Sequence, residues 1–314
     1  MTLHSNSKRA VVLAFDDRIA KHSVRVLKSL SRHAALTERV YILARDWRPW
    51  TREFYLRLDL PKLDIRIVDV SQLSVVGPIK LLTHTTIASM DRLFIPDLLT
   101  EEERVVYLDV DMVTLGSLDP LFEMSLPKTG LAAKPSIAEK FSNLAALIEQ
   151  WCPKEFRNPL QNDLPRSPAL ETVKTFNSGV LVLDLNSLRE GRFVEKTLGY
   201  AKRYGVPDQL AICLYAFGDF GELDAKWNVF VGQDAPADPH VVHWAGRQKP
   251  WGFTMALRQR CRPTRRLYMN EWNDYRFDYR PFREWFHSMA GRQSPHRNSW
   301  RRAVLCGNSA QIAP

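Results

Sequence analysis

Four short apolar runs separated by helix-patterned segments constrain this chain more than any other feature. Ala10–Phe15 (AVVLAF), Val40–Ala44 (VYILA), Leu63–Val70 (LDIRIVDV) and Arg104–Asp111 (RVVYLDVD) read as strands. The first is continuously apolar, as a strand covered on both faces requires, whereas the third alternates with a period of two. Between them Ile19, Val24, Val26, Leu27 and Leu30 fall at roughly helical spacing, and Ile87–Leu99 reads as another helix. Strands alternating with helices of roughly 10–15 residues call for long crossovers. The expected fold class is therefore α/β, with a mostly parallel central sheet flanked by helices. Later strands are expected at Val180–Leu185 and Val241–Trp244. Between Lys134 and Lys174 stand Pro135, Pro153, Pro159, Pro165 and Pro168, which predict an irregular excursion carrying one short helix near Phe141–Trp151. Such excursions often serve as lids.

With 314 residues the chain has room for one large domain or two small ones. Its 45% apolar and 25% charged residues exclude a wholly disordered or fibrous chain. No apolar stretch approaches the ~20 residues of a membrane span, and the first residues lack a signal-like apolar region. The four cysteines, Cys152, Cys213, Cys261 and Cys306, form no CxxC pair. Reduced thiols and a cytoplasmic location are the expectation.

Charge divides the chain unevenly. From Met255 to the end there are twelve Arg, no Lys and four carboxylates, so this end carries +8 of the net +9. The expected division is an α/β domain over 8–254 and a basic, Arg- and aromatic-rich extension over 255–314. Interleaved with the arginines are Tyr268, Trp272, Tyr275, Phe277, Tyr279, Phe282, Trp285, Phe286 and Trp300. Arg with interfacial aromatics suits peripheral contact with an anionic membrane. The competing expectation is that the aromatics pack back on the body and the arginines are solvated. Nucleic-acid binding through this end is a third alternative, but the body is nearly neutral, so no nucleic acid is expected.

The chain has no GxxxxGK[ST], GxGxxG, HExxH or GxSxG, which argues against P-loop NTPases, simple dinucleotide-binding dehydrogenases, zincins and α/β-hydrolases. What remains is Asp109-Val110-Asp111 at the end of the strongest strand pattern. In an extended chain residues i and i+2 share a side, so the two carboxylates should converge beyond the carboxyl end of the strand. They then need a cation, and oxygen ligands suit Mg²⁺ or Mn²⁺. A second cluster, His243-Trp244-Ala245-Gly246-Arg247-Gln248-Lys249-Pro250-Trp251, follows an apolar strand. It offers a metal-ligating His, a Gly permitting close backbone approach, and a Lys suited to phosphate.

Five segments in order resemble glycosyltransferase family 8, retaining enzymes of GT-A fold. They are LAFDD (13–17), RVVYLDVDMVTLGSLDPLF (104–122), FNSGVLVLDL (176–185), PDQLAI (207–212) and HWAGRQKPW (243–251), and the likeness spans Lys8 to Phe253. The resemblance implies a hexose donor such as UDP-galactose or UDP-glucose, a glycan or glycolipid acceptor such as lipopolysaccharide, and Mn²⁺ (or Mg²⁺) held by Asp109, Asp111 and His243. It places Gly246 and Lys249 at the diphosphate, Asp16 near the base, Arg92 near the donor, and Asn177 at the sugar. Val110, between the two metal-ligating positions, falls with the nucleotide-contacting residues. Asp208 and Gln209 fall beside the reacting carbon, and with Lys249 they are the catalytic candidates. Gln209 is a poor nucleophile, which favours front-face substitution over double displacement through Asp208. The chain departs from the family at Leu210, where the family often has Asp, at Arg18, where a small polar residue is common, and at Met90, where a Tyr usually precedes the Arg. The alternative within the family is a pseudoenzyme that binds a nucleotide sugar without transferring it.

Overall fold

The computed structural model describes residues 8–74, 79, 86–232, 236–247, 249–251, 263–275 and 280–290. β1 (Arg9–Asp16) runs straight into α1 (Asp17–His33), whose first turn is capped by the Asp16 carboxylate. β2 (Glu38–Arg45), α2 (Pro49–Leu56) and β3 (Leu63–Asp69) complete the first crossovers. A 3₁₀ helix at Ile87–Phe94 then leads into the single turn α3 (Ile95–Leu98). The segment expected as a helix over Ile87–Leu99 is thus helical from Ile87 to Leu98, but 3₁₀ over its first eight residues. Pro96 sits in the first turn of the α-helical part, where its missing N–H costs nothing.

β4 (Arg104–Leu108), β5 (Met112–Thr114), α4 (Asp119–Glu123) and β6 (Leu131–Pro135) follow. The proline-rich excursion holds two helices where one was expected, α5 (Leu144–Trp151) and α6 (Lys154–Asp163). The second carries Pro159 in its interior and buries Leu160 in the core. β7 (Phe176–Asp184), α7 (Leu185–Glu190), α8 (Phe193–Tyr204) and α9 (Asp208–Ala216) come next. Three short strands follow, β8 (Gly221–Glu222), β9 (Val229–Phe230) and β10 (Val241–His243). Two further helices span Pro263–Asp274 and Arg280–Ala290.

Seven strands form the main sheet in the order β3-β2-β1-β4-β7-β6-β8. The pairings along β3-β2-β1-β4 are parallel, and β7 lies antiparallel between β4 and β6. Strand alternation divides the core between the two faces. Ala10, Val12 and Ala14 join one apolar cluster, and Val11, Leu13 and Phe15 join the other. β5, β10 and β9 form a separate small sheet, with β10 antiparallel to β5.

The aromatic C-terminal helices pack on this body. Tyr268, Met269, Trp272 and Tyr275 are buried with Val113, Val229, Val242 and Trp244, and the Trp244 and Trp272 rings stand 5.1 Å apart. The Arg25 guanidinium of α1 lies 4.8 Å from the Trp272 ring, and Phe282 packs edge-on against Phe54 at 5.0 Å. For these four aromatics the packed expectation holds. The boundary expected at 254/255, the aromatics Phe277, Tyr279 and Trp300, and the side chains of all twelve arginines lie outside the described residues. No described helix is long and apolar enough to cross a membrane. Cys152 and Cys213 are buried and in the thiol form, and Cys261 and Cys306 lie outside the described residues.

Candidate active site

The DxD segment is not the end of a strand. β4 stops at Leu108, and Asp109–Asp111 forms the bend by which the chain leaves the large sheet for the small one. Backbone bonds pin the bend at both ends: Asp109 N donates to Gly179 O at 2.9 Å, and Trp244 N donates to Asp111 O at 3.0 Å. The pairing of β10 with β5 sets His243 opposite Met112, the residue after Asp111. Convergence of the carboxylates therefore comes from this two-sheet junction, not from strand pleat as expected. Asp109, Asp111 and His243 each bring a ligand atom, and all lie within 4.8 Å of one another. His243 Nε2 stands 3.5 Å from Asp111 Oδ1 and 3.8 Å from Asp109 Oδ2. Val110, half-buried between them, packs against an apolar cluster.

Cations from distant segments balance this charge. Lys249 Nζ lies 2.5 Å from Asp111 Oδ2, reached through a turn in which Gly246 adopts φ +85°. A Cβ there would meet nothing nearby, so the requirement for Gly is conformational. Burial alone would raise the Asp111 carboxyl, but Lys249 and His243 outweigh it and hold it well below the usual range. Arg92 is buried, donating from Nη2 to Asp109 Oδ1 at 2.8 Å and from Nη1 to Ser178 O at 2.7 Å, with Nε 3.2 Å from Asp208 Oδ2. Burial pulls its pKa down, yet Asp109, Tyr107 and Asp208 together raise it. The Tyr107 hydroxyl, pushed well up by burial, donates to Asp109 Oδ1 at 2.9 Å.

Asp208 opens α9 after Pro207. Its Oδ1 accepts from Ser89 Oγ at 3.1 Å and its Oδ2 faces Arg92, while burial raises its carboxyl pKa. Gln209 Oε1 takes three donors: Ser178 N at 3.1 Å, Ser178 Oγ at 3.2 Å and Asn177 Nδ2 at 3.4 Å. Asn177 sits in β7, where its Oδ1 accepts from Gly179 N at 3.0 Å and from Asn228 Nδ2 at 2.9 Å. Asp109, Asp111, His243, Lys249, Arg92, Asp208, Gln209 and Asn177 thus form one connected network.

Asp16 has other partners. Buried at the end of β1, it accepts from Arg18 N at 3.1 Å and from the Arg18 guanidinium at 2.8 and 3.1 Å. Met90 is fully buried in the core, so that departure from the family is a matter of packing. Sequence reasoning missed Gly179, Asn228, Ser178, Ser89 and Tyr107. Gly179 is tightly constrained, because a Cβ there would collide with His243 Cε1 and come within 2.8 Å of Nδ1.

The sequence profile of glycosyl transferase family 8 matches residues 10–255. Glycosyltransferase GlyE of Streptococcus pneumoniae serotype 4 is 33% identical over 256 residues, which cover 78% of this chain and 57% of that protein. Probable galacturonosyltransferase-like 2 of Arabidopsis thaliana is 24% identical over 262 residues, 77% of this chain and 75% of that protein. Among solved structures, galactosyltransferase LgtC in complex with donor and acceptor sugar analogues aligns with a TM-score of 0.58 at 18% identity, over 93% of this chain and 99% of that one. This likeness shows a shared GT-A fold. With a profile match over most of its length, the chain belongs to glycosyl transferase family 8 and is a glycosyltransferase.

Proposed function

We propose that this enzyme moves a hexose, with retention of configuration, from UDP-galactose or UDP-glucose to a glycan or glycolipid acceptor such as lipopolysaccharide, assisted by Mn²⁺ or Mg²⁺. The observation that carries the reading is the convergence of two carboxylates and one imidazole nitrogen within 4.8 Å at the end of the sheet. The donor set fits a hard divalent ion, and its nitrogen ligand favours Mn²⁺ over Mg²⁺. When bound, such an ion acts as a Lewis acid and neutralises diphosphate charge.

The chain's own residues do the rest. Lys249, at the outer side of Asp111, is placed to stabilise charge growing on the departing phosphate. Arg92 has its guanidinium committed to Asp109, Asp208 and Ser178, so its part is to fix Asp109. Both oxygens of Asp208 are engaged, by Ser89 and Arg92, which speaks against its acting as a nucleophile. That supports front-face substitution, in which the leaving phosphate takes the acceptor hydroxyl's proton. A cytoplasmic setting, with peripheral contact to an anionic membrane through residues 255–314, belongs to the same reading and rests on the twelve arginines. Burial of Tyr268, Trp272, Tyr275 and Phe282 removes four of its aromatic anchors.

The test is release of UDP from UDP-galactose, UDP-glucose and UDP-galacturonate, with Mn²⁺ and then with excess chelator. Metal-dependent hydrolysis of one donor is expected. Full activity in chelator would overturn the metal assignment, and no turnover with any donor would leave a sugar-binding protein.

A further inference from the structure

Behind the ligand face of His243 runs a buried chain of polar groups. His243 Nδ1 lies 2.9 Å from Asn228 Oδ1. Asn228 is fully buried, and its Nδ2 donates to Asn177 Oδ1 at 2.9 Å. The same Asn177 oxygen accepts from Gly179 N at 3.0 Å. A backbone amide sets the direction of the whole chain. Gly179 N–H can only donate, so an oxygen must face it, and that oxygen in turn calls for the amide nitrogen of Asn228. Asn228 therefore turns its oxygen to the imidazole, and an oxygen facing Nδ1 requires a proton on Nδ1. In the neutral ring the lone pair then lies on Nε2, the atom that faces Asp111 and Asp109.

We infer that Asn228, braced by Asn177, is a positioning residue that holds His243 in the Nδ1–H tautomer with its Nε2 lone pair turned to the two carboxylates. The surrounding frame is built to hold it. Lys134 Nζ donates to the Asn228 carbonyl at 2.9 Å, and Val231 N donates to the His243 carbonyl at 3.1 Å. Gly179 lies directly against the imidazole edge, where no side chain fits. Partners of this kind on a ligating His fix its tautomer and orientation. The purpose of the relay rests on the metal reading proposed above. The relay itself is a property of the metal-free protein and can be tested without metal or donor.

Two measurements decide it. In ¹⁵N-histidine-labelled, metal-free protein at a pH high enough to leave the imidazole neutral, with the His243 signals assigned by their loss in His243→Gln, long-range ¹H–¹⁵N correlation should show Nδ1 protonated and Nε2 bare. An Nε2–H tautomer would overturn the inference. In the second, Mn²⁺ alone is titrated and the free ion read by EPR. Asn228→Leu should weaken binding by about 10- to 100-fold. Unchanged affinity and tautomer in Asn228→Leu would overturn the inference. Should Asn228→Leu fail to fold, the wild-type spectrum still decides. Absence of Mn²⁺ binding by the wild type would sink the metal reading, and the spectrum would still test the relay.

Discussion

Two aspartate pairs stand at the carboxyl ends of the neighbouring parallel strands β1 and β4, and the fold uses them in opposite ways. Asp16 and Asp17 have partners that belong to the scaffold. Asp16 caps α1 and binds Arg18, two positions away; Asp17 Oδ1 accepts from Arg48 N at 3.1 Å and from Thr51 Oγ1 at 2.5 Å, tying β1 to α2. Asp109 and Asp111 face a buried imidazole, and their cations come from Arg92 and Lys249, 17 and 138 positions away. Acidic pairs at strand ends are alike in sequence; the kind and burial of their partners separate them. Asp16 and Asp17 meet backbone amides, a hydroxyl and the exposed guanidinium groups of Arg18 and Arg48. Asp109 and Asp111 share a buried imidazole and face the buried Arg92 and the largely buried Lys249, and such a convergence of buried ionisable groups marks a candidate active site.

The comparison breaks most visibly if one substitution is made in each pair. Asp111→Asn should lower transfer by at least about a thousandfold, on the order of 4 kcal/mol of transition-state stabilisation, with the melting temperature nearly kept. Asp17→Asn should do the reverse: turnover unchanged, stability lower by about 1 kcal/mol and a fall of about 2 °C in Tm. Steady-state kinetics beside thermal melts reads both, and similar activity losses in the two variants would erase the distinction. Next in size is Lys249→Ala. A charge that matters most as the phosphate departs should cost about a hundredfold in kcat with little change in KM. A raised KM at constant kcat would mean that Lys249 holds donor and transition state equally.

The sequence made one side of this contrast legible and hid the other. Strands β1 to β4 and the helix α1 could be read because continuous or alternating apolar runs report burial directly, and the DxD and His243 stood in recognisable segments. The route by which they meet could not be read. β10 answers the strand expected at Val241–Trp244, but β5, three residues long, is too short to show a period, and it is their pairing that sets His243 beside Asp111. The strand expected over Arg104–Asp111 ends at Leu108, where the chain bends. Asn228 follows a single 3₁₀ turn at Ala225–Trp227, with no pattern to single it out. Gly179 and Ser178 were in plain view inside FNSG, but a glycine announces a close approach without naming what approaches.

Gly179→Ala tests that approach. The added methyl would strike the His243 ring and Met112 Cε, 2.8 Å away, where buried strands leave little room to yield. Displacement of Nε2 should weaken Mn²⁺ binding and transfer by about tenfold or more, in the range for disturbing the support of a metal ligand. Isothermal titration with Mn²⁺ and a donor-hydrolysis assay measure it. Wild-type values for both would show that the ring can slide without cost and that Gly179 serves only the fold.

The smallest expected effect asks whether the scaffold pair is wholly scaffold. The family resemblance places Asp16 near the base, yet its Oδ2 is taken by the guanidinium of Arg18, at 2.8 Å from Nη2 and 3.1 Å from Nε. Arg18 is 74% exposed, so the pair is worth at most about 1 kcal/mol. A ligand donating to Asp16 must displace it. Arg18→Asn removes that competitor and leaves the helix cap from the backbone of residue 18 in place. The donor KM should fall by up to about fivefold with kcat unchanged, the mark of altered ground-state binding, because the base lies far from the reacting bond. Tm should move by no more than about 1 °C, as for other exposed surface changes. An unchanged KM would assign Asp16 to the helix cap alone, and the contrast between the two aspartate pairs would then be complete.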